Sequence, residues 1–385
     1  LPEGSGGNHM IKSIWVDNFK SLVDFKIELA KFNCIVGLNG SGKSTLLQAL
    51  DFVSQLMVGD IDEWLKTRHW DRSDLNSKLT KKSNIDFEVV LDISGSEVIW
   101  SGSFNRSSLS CTKESITKQG EKVLFVDDGS YTFNSQPHEI VFKYQGSILS
   151  QLKDNPQGQT LKIVKELILN IRSLDLISPE LLRSQSRSAE GKLGLGGEKL
   201  SAFIHESGMD TQWDLKQELS NVYPQLNSII TKSLRSGWKQ LEVSERFGDK
   251  KITSTARHVN DGMLRLMAIL LQLKIGNAFL LFDEIENGIN PELIEYLIDH
   301  LVNSNDQIMV TTHSPMILNF MEDEVAKKGV IYLYKTQEGY TRNIRLFDIP
   351  SLAKKLEFMG PGEAFIDTDL TKLYQEIANL PLSEA

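Results

Sequence analysis

The chain has 385 residues, 24% of them charged and 40% hydrophobic, with a formal charge of −9. That length bounds it to one large domain or two ordinary ones, and the acidic balance counts against a uniformly basic nucleic-acid binder while leaving room for a local basic face. No run approaches the roughly 18 consecutive apolar residues of a membrane helix. No charged-then-apolar leader follows Met10, and the two cysteines, Cys34 and Cys111, fit a reducing compartment. These features point to a cytoplasmic protein with no membrane partner.

Residues 1–10 carry a Gly-Ser-Gly-Gly linker core and read as a remnant ahead of a natural start at Met10. In the segment that follows, Ile14 to Val16 and Phe25 to Leu29 read as strands, and Phe32 to Val36 as a buried one. A Gly-rich turn comes next. Beyond Lys43, apolar residues fall at Leu46, Leu50, Val53 and Met57, which is helical spacing. From about Asn84 to Gln145, strand-like segments such as 86–91, 98–100 and Ile140 to Phe142 alternate with Gly, Ser, Asn and Asp. This predicts an antiparallel sheet lobe. From Ser147 to about Ile230 the spacing turns helical, with Leu161, Val164, Leu167 and Ile168 on one face; Lys192 to Gly197 reads as a loop. The final third returns to short buried strands, 278–282, 308–311 and 330–334, alternating with helices. Such alternation predicts an α/β core with parallel strands. That core comprises residues 11–83 and 251–385, interrupted by an antiparallel β lobe at 84–146 and a helical insertion lobe at 147–250.

The strongest motif is Gly37-Leu38-Asn39-Gly40-Ser41-Gly42-Lys43-Ser44, followed by Thr45, which matches G-x-x-x-x-G-K-[ST] between a strand and a helix. Its glycines let backbone N–H groups curl around phosphate oxygens, and the helix start aims its positive end at them. Lys43 is expected to reach the β- and γ-phosphates of ATP, and Ser44 to ligate Mg²⁺. A second motif is the apolar run 278–282 ending in Asp283-Glu284. Asp283 is expected to hold Mg²⁺ through water, and Glu284 to polarise the attacking water. In the third, 310–315, His313 follows an apolar strand and is expected beside the γ-phosphate. The fourth, 259–266, is a polar turn opening an apolar helix; it reads either as a second anion-facing helix start or as an ordinary cap at Asn260 or Asp261.

In this order the four elements resemble the ABC-type ATPase superfamily. Within it they are similar to the RecF-like and OLD-like AAA ATPases of bacteria, many of them found in anti-phage defence. The opening Asp17-Asn18-Phe19-Lys20-Ser21-Leu22 fits the same group. The resemblance implies an ABC-type P-loop core and an ATP-sandwiched head-to-tail homodimer, or a higher even-numbered oligomer. Asn39 would touch the γ-phosphate, and Asn260 and Gly262 would act in trans. Glu286 to Ile289 would form a dimer-contact loop. Asn260 stands where many relatives carry Ser, which bears on turnover. The usual Gln of the Q-loop has no clear counterpart. The stretch 178–183 looks like the group's mid-chain motif and carries Arg183, read here as an exposed helix-end residue that could alternatively approach the site.

OLD-type proteins often add a TOPRIM nuclease domain. About 70 residues follow His313, which is short for one, so a nuclease or toxin effector is expected on a separate chain. Glu363, Asp367 and Asp369 read as solvated surface rather than a metal site. The expected function is Mg-ATP hydrolysis that controls such an effector in antiviral defence. The alternatives are a RecF-like repair ATPase acting directly on DNA, with DNA or RNA as ligand, and an ATP-binding scaffold with very low turnover.

Overall fold

The computed structural model describes residues 9–380 apart from 128, 134, 153–157, 176 and 277. Residues 1–8 of the expected remnant, and the last five of the carboxyl-terminal range, lie outside the described residues. Met10 itself is in the first strand, His9–Asp17. The chain folds as two units, one of residues 1–172, 278–280 and 307–385, the other of residues 173–277 and 281–306.

The first unit holds an eight-stranded antiparallel sheet in the order Phe25–Glu28, His9–Asp17, Asn84–Ile93, Ser96–Asn105, Ser110–Lys118, Glu121–Asp127, Ser130–Phe133, Gln136–Glu139. Strict alternation fixes its register. Ile85, Phe87, Val89, Leu91 and Ile93 are buried along one face of a single strand, with the half-buried Asp86, Glu88, Val90 and Asp92 between them, and a slip of one residue would turn all five to the other face. The sheet therefore begins with the chain's first strands. It ends before Ile140: residues 140–142 lie in no strand, contrary to the expectation, and Val141 is 83% exposed. Gln136–Glu139 is an exposed edge, so among the described residues there is no further strand of this sheet against which 140–142 could bury an apolar face.

A second sheet has the order Ile171–Ser173, Phe279–Phe282, Gln307–Thr311, Phe32–Gly37, Val330–Lys335, Thr341–Arg345. Phe32–Gly37 pairs in parallel with both Gln307–Thr311 and Val330–Lys335, and Val330–Lys335 pairs antiparallel with Thr341–Arg345. Phe279–Phe282 and Gln307–Thr311 are buried throughout, which is why they read as unbroken apolar runs instead of alternating ones. Helix Lys43–Val58 follows the central strand and buries Leu46, Leu47, Leu50, Val53, Leu56 and Met57. Its Phe52 packs among Phe19, Trp64 and Phe104 with ring centroids 5.3, 5.9 and 5.1 Å away.

In the second unit, helices Leu200–Glu206 and Gly208–Ser220 pack on a three-stranded antiparallel sheet, Leu226–Ser233, Lys239–Phe247 and Lys250–Thr255. Sequence spacing places helices up to about Ile230 and an insertion that is helical throughout. The structure instead turns to strands at Leu226, because Leu226, Ile229, Leu241 and Val243 bury one face of a sheet. Helices Asp261–Ile275 and Pro291–Val302 complete the unit. Among the described residues no helix is long and apolar enough to cross a membrane.

Candidate nucleotide site

In the first unit the loop after Phe32–Gly37 has the backbone its glycines require. Gly37, Gly40 and Gly42 have φ of 154°, 78° and 112°, values that L side chains rarely adopt. Two of them are also walled in. A Cβ on Gly37 would lie 2.4 Å from the carbonyl oxygen of Leu333, and one on Gly42 would lie 2.5 Å from Oγ1 of Thr341. Gly40 has nothing within 4 Å and faces outward. Lys43 is buried, and its Nζ donates to the carbonyls of Gly37 at 2.8 Å and Leu38 at 3.3 Å. Leu38, Asn39, Gly40 and Ser44 are exposed, while Ser41 is 3% exposed with an Oγ that has no partner within the chain. Beside the loop a cavity of about 470 Å³ opens between Leu38, Asn39 and the rings of Tyr332, Tyr334 and Tyr374. A glycine cradle that a Cβ would fill, a buried lysine at its centre and an orphaned hydroxyl fit a bound phosphate chain.

Sequence reading missed the residue that backs this loop. Thr341 is fully buried; its Oγ1 donates to the carbonyl of Ser41 at 3.0 Å and accepts from Nζ of Lys335 at 3.0 Å. Its Oγ1 also lies 2.9 Å from Oγ of Ser21, and its N–H donates to the carbonyl of Ser21 at 3.0 Å. Burial pulls the Lys335 ammonium down from its ordinary pKa. No local motif marks Thr341, because its partner lies 300 positions away.

His313 follows the parallel neighbour of the loop strand. Thr311 is opposite Ile35, and the N–H of Thr312 donates to the carbonyl of Ile35 at 3.2 Å. His313 and Gly37 thus leave adjacent parallel strands at the same, carboxyl-terminal edge, and His313 is exposed there.

The second unit holds the other predicted elements. Asn260 caps helix Asp261–Ile275, accepting from the N–H of Met263 at 2.8 Å through Oδ1. The capping reading is therefore correct as local structure, and the amide Nδ2 is a donor in addition. Gly262 is buried, and a Cβ there would lie 3.0 Å from the carbonyl oxygen of Gly288. That contact packs the helix start against the turn after the acids. Arg183 reaches the same start, donating to the carbonyl of Val259 at 2.8 Å and to the carboxylate of Asp261. It is an anchor of the turn, not merely an exposed helix end.

Asp283 and Glu284 are half-buried beyond the carboxyl end of Phe279–Phe282. Glu284 sits at φ 46°, in the left-handed region. The turn behind it closes with Asn287 N–H donating to the Glu284 carbonyl at 2.9 Å and Ile289 N–H to the Glu286 carbonyl at 3.2 Å. Arg265, which falls within the fourth motif but is given no role there, is 5% exposed and donates to the carbonyls of both Asp283 and Glu284 at 3.0 Å. Near the carboxyl terminus, Glu363 accepts from the N–H of Gly360 and Asp367 pairs with Lys355. Among the described residues no three His, Cys, Asp or Glu side chains are grouped so as to hold a metal.

A glycine-cradled lysine loop on a parallel sheet, followed by an apolar strand ending in two acids, defines a P-loop nucleotide-binding protein of the ATPase class. Residues 10–128 match the AAA ATPase domain family, and residues 173–319 match a family described as AAA domain, putative AbiEii toxin, Type IV TA system. Both matched models are AAA ATPase domains, so the chain is similar to AAA-type ATPases over these two stretches.

Among curated proteins it is 42% identical to an OLD nuclease of Thermus scotoductus over 52 residues, which is 14% of this chain and 9% of that one. The chain thus matches only a small part of that relative's length. The Smc head domain of Pyrococcus furiosus, solved with the C-terminal domain of ScpA, is 17% identical, with 91% of this chain and 100% of that one covered at a TM-score of 0.50. This likeness shows a shared fold. The recombination mediator RecF, solved with an ATP analogue, is 15% identical over 88% of this chain and 99% of that one, at a TM-score of 0.43.

Proposed function

We propose that the protein binds Mg-ATP on the Gly37–Thr45 loop, closes into a head-to-tail dimer around it, and hydrolyses it to control a separate effector, a nuclease or toxin, in anti-phage defence. The observation that carries the reading is the loop itself. Gly42 is held against Thr341 by a gap no side chain fits, and Lys43 sits buried at its centre. A positive-φ glycine turn wrapped around a buried lysine provides the close backbone approach that a phosphate chain requires.

In this reading the N–H groups of 40–45 and the ammonium of Lys43 bind the β- and γ-phosphates. Ser44 and, through water, Asp283 hold Mg²⁺. When bound, the ion neutralises charge that develops on the phosphate oxygens. Glu284 accepts a proton from, or orients, the attacking water. His313 and Asn39 donate to the γ-phosphate. Asn260, through Nδ2, and the backbone of Gly262 complete the site of the partner protomer. Catalysis is then positioning plus charge stabilisation. The short match to an OLD nuclease, and the description of the second matched family as a putative AbiEii toxin of a Type IV TA system, support a nuclease or toxin as the effector.

The test is phosphate release by the wild type, Lys43→Ala and Glu284→Gln, with fluorescent-ATP binding beside it. Wild type should turn over. Lys43→Ala should lose binding. Glu284→Gln should bind normally while kcat falls about 10²- to 10³-fold. A wild type that hydrolyses no ATP overturns the reading, whether or not it binds the nucleotide.

A further inference from the structure

We infer that Arg265 is a positioning residue: it sets the backbone of Asp283 and Glu284, and so the direction of the Glu284 carboxylate. The inference rests on the reading that these acids serve ATP hydrolysis.

One guanidinium nitrogen, Nη2, donates to two consecutive carbonyls, those of Asp283 and Glu284, each at 3.0 Å. In an extended chain, successive carbonyls point to opposite sides. They can meet one donor only if the residue between them is wound into a helical hand. Glu284, at φ 46°, is wound the left-handed way, which non-glycine residues avoid. The strained backbone and the shared donor are therefore two views of one arrangement. Arg265 rewards the conformation that Glu284 would otherwise leave.

Arginine is also an expensive choice here. It is 5% exposed on a helix whose neighbouring Leu264, Leu266 and Met267 are all buried apolar side chains. Burial pulls its pKa down, and the carboxylates of Glu286, Glu284 and Asp283 pull it back up. Its Nε is buried with no partner within the chain. Stability alone would favour another apolar residue at this position. The return on burying a cation is the geometry of the acidic turn. Arg265 also lies little more than one turn into the helix that begins at Asn260. The Asn260 cap, the Gly262–Gly288 packing and the Arg265 contacts thus all tie that helix to the same acidic turn.

The test compares Arg265→Met and Arg265→Lys with wild type. Four things are read: kcat, KM for ATP, fluorescent-ATP binding, and amide exchange of the peptide covering 281–290. Arg265→Met should lower kcat about 100-fold, the cost of misplacing a reacting group by about 1 Å, with KM and nucleotide affinity changed less than about threefold. Arg265→Lys, whose ammonium can still reach a carbonyl, should fall between. The 281–290 amides should exchange faster in Arg265→Met than in wild type, a readout that needs no turnover. If wild type hydrolyses nothing, the proposed function fails, while the exchange comparison still decides the role of Arg265. Wild-type kcat and exchange in Arg265→Met overturn the inference. So does a loss of nucleotide binding that tracks a lowered melting temperature in both variants, which would make Arg265 merely structural.

Discussion

Oγ1 of Thr341 stands 3.0 Å from the carbonyl oxygen of Ser41 and would stand 2.5 Å from a Cβ on Gly42. One hydroxyl thus both ties down the phosphate loop and bars a side chain from it. Thr341→Val removes the donor and leaves a buried carbonyl and the Lys335 ammonium without that partner, a loss of about 1–3 kcal/mol. Nucleotide affinity should drop about tenfold, near 1.4 kcal/mol, in a fluorescent-ATP titration. Thr341→Ser, which keeps the hydroxyl, should restore most of it.

The same contact separates two glycines that the motif treats alike. Gly42→Ala drives a Cβ into Thr341 at φ 112°, whereas Gly40→Ala meets nothing within 4 Å at φ 78°. Both are strained by their backbone. The former should abolish ATP binding and the latter only weaken it, as read by calorimetry on the purified proteins. Equal affinities in the two variants would remove the steric explanation.

Behind the loop, helix Lys43–Val58 carries a buried ion pair. Asp51 accepts from Arg68 Nη2 at 2.6 Å and Nε at 2.9 Å, and from Trp64 Nε1 at 2.7 Å, with both charged side chains 2% exposed. Breaking it from one side strands a charge, so Asp51→Ala should cost about 3–5 kcal/mol in urea unfolding. The double change Asp51→Leu with Arg68→Met should cost much less. A double variant that loses as much stability as Asp51→Ala would show the pair to be worth more than its desolvation.

Glu114 gives a pH dependence. It is buried between Trp100 Nε1, which donates at 2.8 Å, the N–H of Ile148 at 3.1 Å, and the hydroxyl of Ser147. Burial raises its pKa above the ordinary carboxylate value, and the three donors only partly offset this. The folded state therefore holds the proton longer than the unfolded one. Stability from this site is full below the unfolded pKa of about 4.3, is lost as pH rises through the folded pKa, and is level above it. In urea melts across that range, Glu114→Gln should gain on wild type with rising pH. A gap that stays constant with pH would contradict this.

Much of the site was legible because its chemistry is local. The phosphate loop needs glycines and lysine at fixed spacing, and the acids must follow a buried strand, so Gly37–Thr45 and Asp283–Glu284 declare themselves within a few residues. The buried parallel strands were legible for the same reason, as short unbroken apolar runs. Arg265 and Thr341 were not. Each acts through carbonyls brought near only by the fold, 18 and 300 positions away. The strands from Leu226 to Thr255 were missed because Ser, Thr and Lys alternate with few apolar residues there, a pattern too thin to contradict the helical spacing before it.

The central claim, a nucleotide sandwiched between two protomers, is tested most directly by the solution mass of Glu284→Gln with and without Mg-ATP, measured by light scattering. The account predicts a monomer of 43.4 kDa that doubles its mass when Mg-ATP is added. A mass that stays monomeric while fluorescent ATP binds would contradict it.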